Sequence, residues 1–233
     1  MRVAVLLPSF NEEESIGDMI DGVRAVGDYD IFVVDGGSTD KTVEIALKHK
    51  ADVIRLDERG KGMAISKVFG SVDHDVVVML DSDMSYAPDD IPNMIQGLEC
   101  ADVVLGSRFS GHIEDGAMSD VNRFGNHILT WLARTLYGVP VTDVCSGFWA
   151  FNRHAYGSEI NVDARHFELE ANLFVECALN GLVLKEVSIR YMRRRGKSKL
   201  DIGHGLEIAS YLIRRRLPFL LRCLGCWRRS PSM

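Results

Sequence analysis

Short apolar runs alternate along the chain with longer segments in which apolar residues recur every three or four positions. The short runs are rich in Val, Ile and Leu, which favours strands, whereas the longer segments have the spacing of amphipathic helices. This alternation is typical of βαβ units around a largely parallel sheet that is buried on both faces. The predicted strands are residues 3–7, 31–34, 53–56, 76–80 and 103–105.

Capping residues predict where the intervening helices begin. Asn11 is expected to cap a helix that ends near residue 26, and Asp40 to cap one over 41–50. Pro88 suits the first turn of a helix over 88–98. Ligands of open α/β sheets bind beyond the carboxyl ends of the strands, so we expect the functional residues there.

The second half of the chain has a different pattern, and a basic tail follows it. We interpret residues 1–202 as one domain with halves 1–106 and 107–202, followed by the tail 203–233. The tail has apolar residues at helical spacing, so it is either a helix packed on the body or one at a membrane interface. The second half is predicted to contain a loop (110–119), a helix (121–137), a strand (146–151), a helix (167–180) and a strand (183–190).

Charge is strongly segregated along the 233 residues. Residues 1–189 carry 15 Lys and Arg against 31 Asp and Glu, whereas residues 190–233 carry 12 against 2. A basic C-terminal segment on an acidic body predicts an anionic partner at one end, such as a membrane surface or a phosphate. Nucleic acid is disfavoured as a partner because Tyr191 is the one aromatic residue close to the basic run 193–199.

The chain is expected to be cytoplasmic and either soluble or peripheral at the cytoplasmic face of a membrane. Its first apolar run is too short for a secretory signal, and the arginines at 214–216 interrupt the longest apolar stretch before it reaches the ~18 residues of a membrane span. Five cysteines, an odd number, argue against a disulfide framework and for a reducing compartment.

Two carboxylates separated by one residue, Asp81 and Asp83, follow the very apolar strand 76–80. Such a pair can ligate a hard divalent cation, and the cation can bridge the phosphates of a nucleotide diphosphate. The pattern alone also fits a solvated polar turn. Its place at the end of a buried strand favours the metal site.

A glycine-containing acidic turn follows the second strand. Its glycines would let a flat ligand approach the backbone, and Asp35 could accept hydrogen bonds from a base or a ribose. The alternative is a plain glycine turn that ends at the helix cap. A dinucleotide-binding oxidoreductase is disfavoured, because the first βα turn holds Glu12, Glu13 and Glu14 instead of a glycine-rich loop and would repel a pyrophosphate.

The ordered motifs of the chain resemble the inverting family-2 glycosyltransferases of the GT-A fold. The resemblance reaches to about residue 199 and runs through LLPSFNEEESI, VVDGGSTDKT, ERGKGMA, MLDSDMSYAPDDI, GSRF, DVCSGFWAF and RRRGKSK. The segment EDGAMSDVNRFGNHI is most similar to polyprenyl-phosphate hexosyltransferases, particularly the archaeal dolichyl-phosphate type. The resemblance implies an α/β fold with a Rossmann-like, mostly parallel sheet, a nucleotide-binding half (1–106) and an acceptor half (107–202).

The resemblance also implies an activity, namely Mg²⁺- or Mn²⁺-dependent transfer of a hexose from a GDP- or UDP-linked sugar to dolichyl phosphate. Gly36 stands where many members have a second aspartate, and Ser85 where mannose synthases often have a glutamine, so the base and the sugar stay open. The residues implied to bind the nucleotide are Pro8, Asn11, Glu12, Asp35, Lys61 and Asp81, with Asp81 and Asp83 on the metal. The implied catalytic residues are Asp83, Arg108 (on the phosphates) and Arg195, and the implied sugar pocket is Ser146, Gly147, Phe148 and Glu170.

Cations are expected beside an acceptor phosphate, because two anions must be brought together. A lipid phosphate is already anionic and needs little help from a general base. The expected cations are Arg123, Arg193, Arg194, Arg195 and Lys199, although the run 193–199 also fits a solvated surface. Two alternatives stay open: transfer to a hydroxyl acceptor with Glu170 as base, and an inert, membrane-associated nucleotide-sugar binding protein.

Overall fold

The computed structural model describes residues 1–56, 61–162, 168–196 and 202–227. Strands and helices alternate through the first half, as the apolar pattern predicts. The elements are β1 (Val3–Ser9), α1 (Ile16–Val26), β2 (Asp30–Asp35), α2 (Thr42–Lys48), β3 (Asp52–Arg55), α3 (Lys61–Phe69), β4 (Val76–Met79), α4 (Ile91–Gly97), β5 (Val103–Ile113), α5 (Asp120–Tyr137), β6 (Trp149–Asn152), α6 (Leu169–Leu179), β7 (Leu184–Tyr191) and α7 (Ile202–Trp227).

The seven strands form one sheet in the order β3-β2-β1-β4-β6-β5-β7. Strand β6 runs antiparallel to β4 and β5, and every other pair is parallel. The predicted mostly parallel α/β sheet is therefore confirmed. Because β1, β2 and β4 are parallel neighbours, the segments that follow them emerge at the same edge of the sheet.

Both faces of the sheet are covered, which explains the continuous apolar strands. Ala4 and Leu6 of β1 point into a core shared with α3, α5, α6 and α7. Val3, Val5 and Leu7 point into a second core shared with α1, α2 and α4. Helix α7 packs its inner side into the first core, as the packed-helix alternative for the tail predicts. Within the described residues, no helix combines the length and the apolar character needed to cross a bilayer.

Two sequence predictions about element boundaries are wrong. Asn11 does not cap α1, which begins at Ile16; it has a φ of 54° and its Oδ1 accepts a hydrogen bond from the backbone of Thr39 at 2.8 Å. Strand β5 continues into the predicted loop because it pairs again with β7, with Ile113 opposite Tyr191. Both differences arise from partners that are distant along the chain.

Candidate active site

The ends of β1, β2 and β4 are joined by hydrogen bonds into one polar edge. Ser9 Oγ at the end of β1 donates to Ser82 Oγ at 2.8 Å, and Ser82 Oγ donates to the Pro8 carbonyl at 3.0 Å. Asp35 at the end of β2 is buried, and its Oδ1 accepts from the Ser38 backbone at 3.1 Å. The structure thus brings Pro8 and Asp35 to the same edge as the acids that follow β4.

The turn after β1 is held against the turn after β2. The backbone N–H of Asn11 donates to Ser38 Oγ at 2.9 Å, and that of Glu12 donates to Thr42 Oγ1 at 2.8 Å. Asn11 and Glu12 therefore lie beside the turn that carries Asp35. Four of the residues expected to bind the nucleotide share this edge. A fifth, Asp81, follows β4 at the same edge, and for the sixth, Lys61, the backbone begins α3 and the side chain lies outside the described part of the chain.

Asp83 is held by a sharp turn after β4. Met84 has a φ of 64°, in the left-handed region, and the backbone N–H of Ser85 donates back to Asp83 Oδ1 at 2.9 Å. Ser85 Oγ donates to the same oxygen at 2.5 Å. The Asp83 residue is only 4% exposed. Its carboxylate is thereby oriented by its own turn, with Oδ2 turned to other partners.

Gly147 lies directly against the other acid of the pair. A Cβ built on Gly147 would lie 2.6 Å from Asp81 Oδ2, so the loop before β6 closes on Asp81 because residue 147 has no side chain. The Gly147 N–H donates to Tyr86 Oη at 2.8 Å, and Tyr86 is buried. Burial raises the pKa of Tyr86, which therefore stays a neutral phenol. Tyr86 thus anchors the loop beside Asp81.

Two other residues expected in the sugar pocket, Ser146 and Phe148, belong to this loop and are buried in the interior. Phe148 is fully buried in the core and packs edge-to-face on Tyr86, so its side chain does not line an open pocket. Ser146 is also buried, and its carbonyl accepts from Trp149 Nε1 at 2.7 Å. Glu170 lies in the first turn of α6, where its charge contributes to the raised pKa of Cys145 that burial chiefly causes. The structure places Gly147 beside the acids and Phe148 in the core.

Arg108 forms a buried ion pair with Asp143. Its Nε and Nη2 donate to the two Asp143 oxygens at 2.7 Å each, and its backbone N–H donates to Oδ2 at 3.0 Å. Burial alone would lower the pKa of Arg108, but the Asp143 carboxylate outweighs it and raises that pKa. The guanidinium is therefore charged and paired with Asp143, whereas the family resemblance implied that it contacts the donor phosphates.

Residues 191–195, which we call the basic segment, cross the acids that follow β4, as their position after a core strand predicts. Tyr191 bridges to Tyr86 in an antiparallel sense, and the Met192 N–H donates to the Ser85 carbonyl at 2.8 Å. The Arg195 N–H donates to the Asp83 carbonyl at 2.9 Å. Residues 191–195 therefore form one side of the site.

Each arginine of this segment has a different partner. Arg194 pairs with Asp83 Oδ2, and Arg195 pairs with Asp18 of α1. Arg193 donates from Nε to the Asp115 carbonyl at 2.8 Å. Arg123 is exposed at the start of α5, and Lys199 lies outside the described residues. The structure thus places one predicted acceptor cation, Arg194, directly on a predicted metal ligand.

Comparison with known proteins shows the family to which the chain belongs. Residues 4–158 match the model of glycosyl transferase family 2. The chain belongs to this glycosyltransferase family. It is 34% identical over 227 residues to the dolichyl-phosphate hexose transferase of Haloferax volcanii, a match that covers 94% of this chain and 96% of the relative. It is 35% identical over 202 residues to the glycosyltransferase AglJ of the same organism, covering 86% of this chain and 66% of AglJ, so it spans just under two thirds of that protein.

A solved glycosyltransferase structure confirms the GT-A fold. Glucosyl-3-phosphoglycerate synthase from Mycobacterium tuberculosis, in complex with Mn²⁺, UDP and glucosyl-3-phosphoglycerate, superimposes with a TM-score of 0.76. The alignment covers 92% of this chain and 80% of that chain at 23% sequence identity. At this identity the likeness establishes the arrangement of the sheet and helices in this glycosyltransferase.

Sequence reasoning missed two residues that hold the site of this glycosyltransferase together. Tyr86 follows Asp83 by three positions, and a single aromatic residue in a loop gives no periodic signal. Asp143 is the first residue of the DVCSG motif. An acid directly before a glycine-containing loop could have been recognised in the sequence as a candidate site residue. Both lie behind the polar edge, where they position Gly147 and Arg108.

The two acids of this glycosyltransferase suit a hard divalent cation. Both offer oxygen ligands, and the Arg194 guanidinium on Asp83 shows that the position stabilises positive charge. Among the described residues, no cluster of three His, Cys, Asp or Glu side chains is present. Mg²⁺ that is bound by one or two carboxylates commonly completes its coordination with substrate phosphates and water.

Proposed function

We propose that this glycosyltransferase transfers a hexose from a nucleotide sugar to the phosphate of a polyprenyl lipid of the dolichyl type. The main support for the proposal is that the basic segment crosses the pair of acids after β4, with Arg194 and Arg195 both contacting Asp83. The H. volcanii relative named dolichyl-phosphate hexose transferase supports it over nearly the full chain. The product would be a lipid-linked sugar for glycosylation.

The donor is proposed to bind along the edge formed by β1, β2 and β4. Pro8, Asn11, Glu12 and Asp35 would contact the nucleoside, whose base is guanine or uracil. Asp81 and Asp83 would hold Mg²⁺ or Mn²⁺, which supplies charge neutralisation to the diphosphate leaving group. Structures of the similar M. tuberculosis glucosyl-3-phosphoglycerate synthase with UDP and Mn²⁺ or Mg²⁺ support a nucleotide and a divalent metal as ligands.

The acceptor is proposed to approach from the side of the basic segment and α5. A lipid phosphate is anionic near neutral pH, so the main task of the protein is to hold two anionic groups together. Arg193 contacts the loop that leads into α5, and Arg123 lies exposed in the first turn of that helix. These two cations, with Arg194, Arg195 and Lys199, are proposed to offset the repulsion between donor and acceptor.

Arg194 is expected to compete with the metal for Asp83. Because its guanidinium occupies Asp83 Oδ2, a metal must displace it to use that oxygen. Replacing Arg194 with Gln should therefore lower the Kd of the nucleotide-free protein for Mn²⁺ about tenfold. The free Mn²⁺ signal in electron paramagnetic resonance measures this Kd directly.

Arg193→Gln is the matched control, since Arg193 belongs to the same segment but contacts Glu114 and Asp115 instead of Asp83. Its Mn²⁺ affinity should equal that of the wild type. Equal affinities in all three proteins would contradict the competition, and weaker binding in Arg194→Gln would show that Arg194 supports the metal.

A panel of radiolabelled GDP- and UDP-sugars, incubated with dolichyl phosphate and Mg²⁺ or Mn²⁺, tests the proposed function. One donor should deliver label to the organic phase, and chelation of the metal should abolish that transfer. Release of free sugar without lipid product would indicate a different acceptor. The absence of both transfer and donor hydrolysis across the panel would favour an inert binding protein.

The proposed location is the cytoplasmic face of a membrane, where the protein would be peripheral. The lipid acceptor is itself part of a membrane. Residues 190–233 carry a net positive charge, which anionic lipids attract. The tail 203–233 is proposed to contribute to this association. Nucleic acid is not a proposed partner.

A further inference from the structure

Exposed apolar side chains are concentrated on two neighbouring helices. Of the eleven large hydrophobic residues exposed in the described part of the chain, seven lie on α5 and α7. Scattered single hydrophobics are normal on a protein surface, whereas a contiguous group marks an interaction site. These two helices therefore carry a surface that the catalytic site does not explain.

Helix α5 has an apolar outer stripe as well as an apolar inner one. Its inner residues Leu129 and Ala133 are buried in the core. Its exposed residues recur at helical spacing along the opposite side. They are Val121, Phe124, Ile128 and Trp131, with Phe124 67% and Trp131 64% exposed. Such large aromatic exposure on an ordered helix indicates a partner for this face.

Helix α7 extends the same surface. Leu206, Ile213 and Leu217 are exposed on its outer side. Helices α5 and α7 contact each other, with Tyr137 Oη donating to the Leu212 carbonyl at 2.8 Å, and both bury their inner sides in the same core. Their outer sides therefore form neighbouring parts of one surface, which we call the α5–α7 face.

The charges on these helices favour an anionic partner. Arg123, Arg134 and Arg214 are exposed on α5 and α7, and they outnumber the exposed acids of the same described helical residues, Asp120 and Glu207. The wider segment 190–233 is strongly basic. A second copy of the chain would bring arginines against arginines, whereas anionic lipid headgroups would neutralise them.

We propose that the α5–α7 face docks on an anionic lipid bilayer, with the α5 stripe inserted at the level of the headgroups and upper acyl chains. Aromatic and aliphatic side chains flanked by arginines are typical of helices that lie in this interface. The sequence pointed to the tail alone for membrane contact, and the structure assigns the larger aromatic contribution to α5.

The position of α5 connects this docking to the site. The helix begins at Asp120, just after the loop whose Asp115 carbonyl accepts from Arg193. If the proposed lipid-phosphate acceptor is correct, docking through α5 places Arg123 at headgroup level beside the basic segment. The docking itself does not depend on the acceptor, since it rests on the exposed face and its charge.

Vesicle binding of the full chain tests the α5–α7 face without any donor or dolichyl phosphate. Phosphatidylcholine vesicles with and without phosphatidylglycerol serve as the probe, in a sedimentation assay. The wild type should bind the anionic vesicles, and the double variant Phe124→Ser and Trp131→Ser should bind at least about tenfold more weakly, because each loses apolar area that the interface would bury.

A matched double variant uses exposed apolar residues elsewhere, Leu47→Ser and Val183→Ser, which are 58% and 56% exposed. It should bind vesicles like the wild type, and both double variants should keep the wild-type melting temperature. Equal binding by the α5 variant and the wild type would overturn the proposal. No vesicle binding, with a wild-type dimer that the α5 variant abolishes in analytical ultracentrifugation, would overturn it in favour of a self-interface.

Failure of the docking and failure of the proposed function are distinguishable. With a short-chain, water-soluble prenyl phosphate as acceptor and no vesicles, the α5 variant should transfer hexose like the wild type. Loss of transfer under those conditions would mean that the stripe serves catalysis instead of docking. Vesicle binding by a protein that transfers no sugar to any lipid phosphate would leave the docking standing and refute the acceptor.

Discussion

Replacing Asp83 with Ala is expected to lower kcat/KM for hexosyl transfer at least about 100-fold, with the fold retained. The carboxylate lies at the end of β4 with one oxygen fixed by Ser85, and in the proposed function its other oxygen is a metal ligand. The backbone carbonyl of residue 83 can still accept from Arg195, so the basic segment keeps its place. Steady-state kinetics at saturating Mn²⁺ and thermal unfolding measure the two effects separately.

Asp89→Ala is the control for Asp83→Ala. Asp89 follows the same strand, but its side chain is 68% exposed and forms an ion pair with Arg190 at 3.5 Å. Its removal should change kcat/KM by less than about twofold, as for other exposed ion pairs. Near-normal turnover of Asp83→Ala in metal-replete buffer would refute the assignment of this acid.

Replacing Gly147 with Ala should have an effect of similar size through geometry alone. The added methyl group would lie 2.6 Å from Asp81 Oδ2, so either the carboxylate or the loop held by Tyr86 must move. A displacement of about 1 Å at a reacting centre can cost about 100-fold in rate. We expect a loss of about that size in kcat/KM together with weaker Mn²⁺ binding.

Gly157→Ala provides the comparison, because a Cβ at Gly157 would meet no atom within 4 Å. This variant should retain wild-type kinetics and metal affinity. If Gly147→Ala also retained both, Asp81 would tolerate displacement, and its role as a metal ligand would have to be abandoned.

The sheet and its acidic edge could be predicted because their signals are local. The strand Val76–Met79 is a run of buried apolar residues, and the acids follow it after the single residue Leu80. Parallel strands place such residues at one edge whatever the rest of the chain does. The extension of β5 could not be predicted, since it depends on pairing with β7 some 80 residues later along the chain.

The partners of the arginines could not be predicted either. Arg194 and Arg195 are adjacent in sequence, yet one pairs with Asp83 and the other with Asp18. In an extended segment neighbouring side chains point in opposite directions, so the register of the segment decides which arginine meets which acid. The sequence therefore indicated a basic segment over the site without assigning a role to each residue in it.

The proposed lipid-phosphate acceptor is tested by comparing two acceptors that differ only in the phosphate. With the preferred nucleotide sugar and Mn²⁺, dolichyl phosphate and dolichol are offered at equal concentration in the same detergent. We expect labelled, acid-labile lipid from dolichyl phosphate and none from dolichol, because the anionic acceptor needs no general base. Comparable transfer to dolichol, lost on replacing Glu170 with Gln, would refute the lipid-phosphate acceptor and identify a hydroxyl-directed glycosyltransferase.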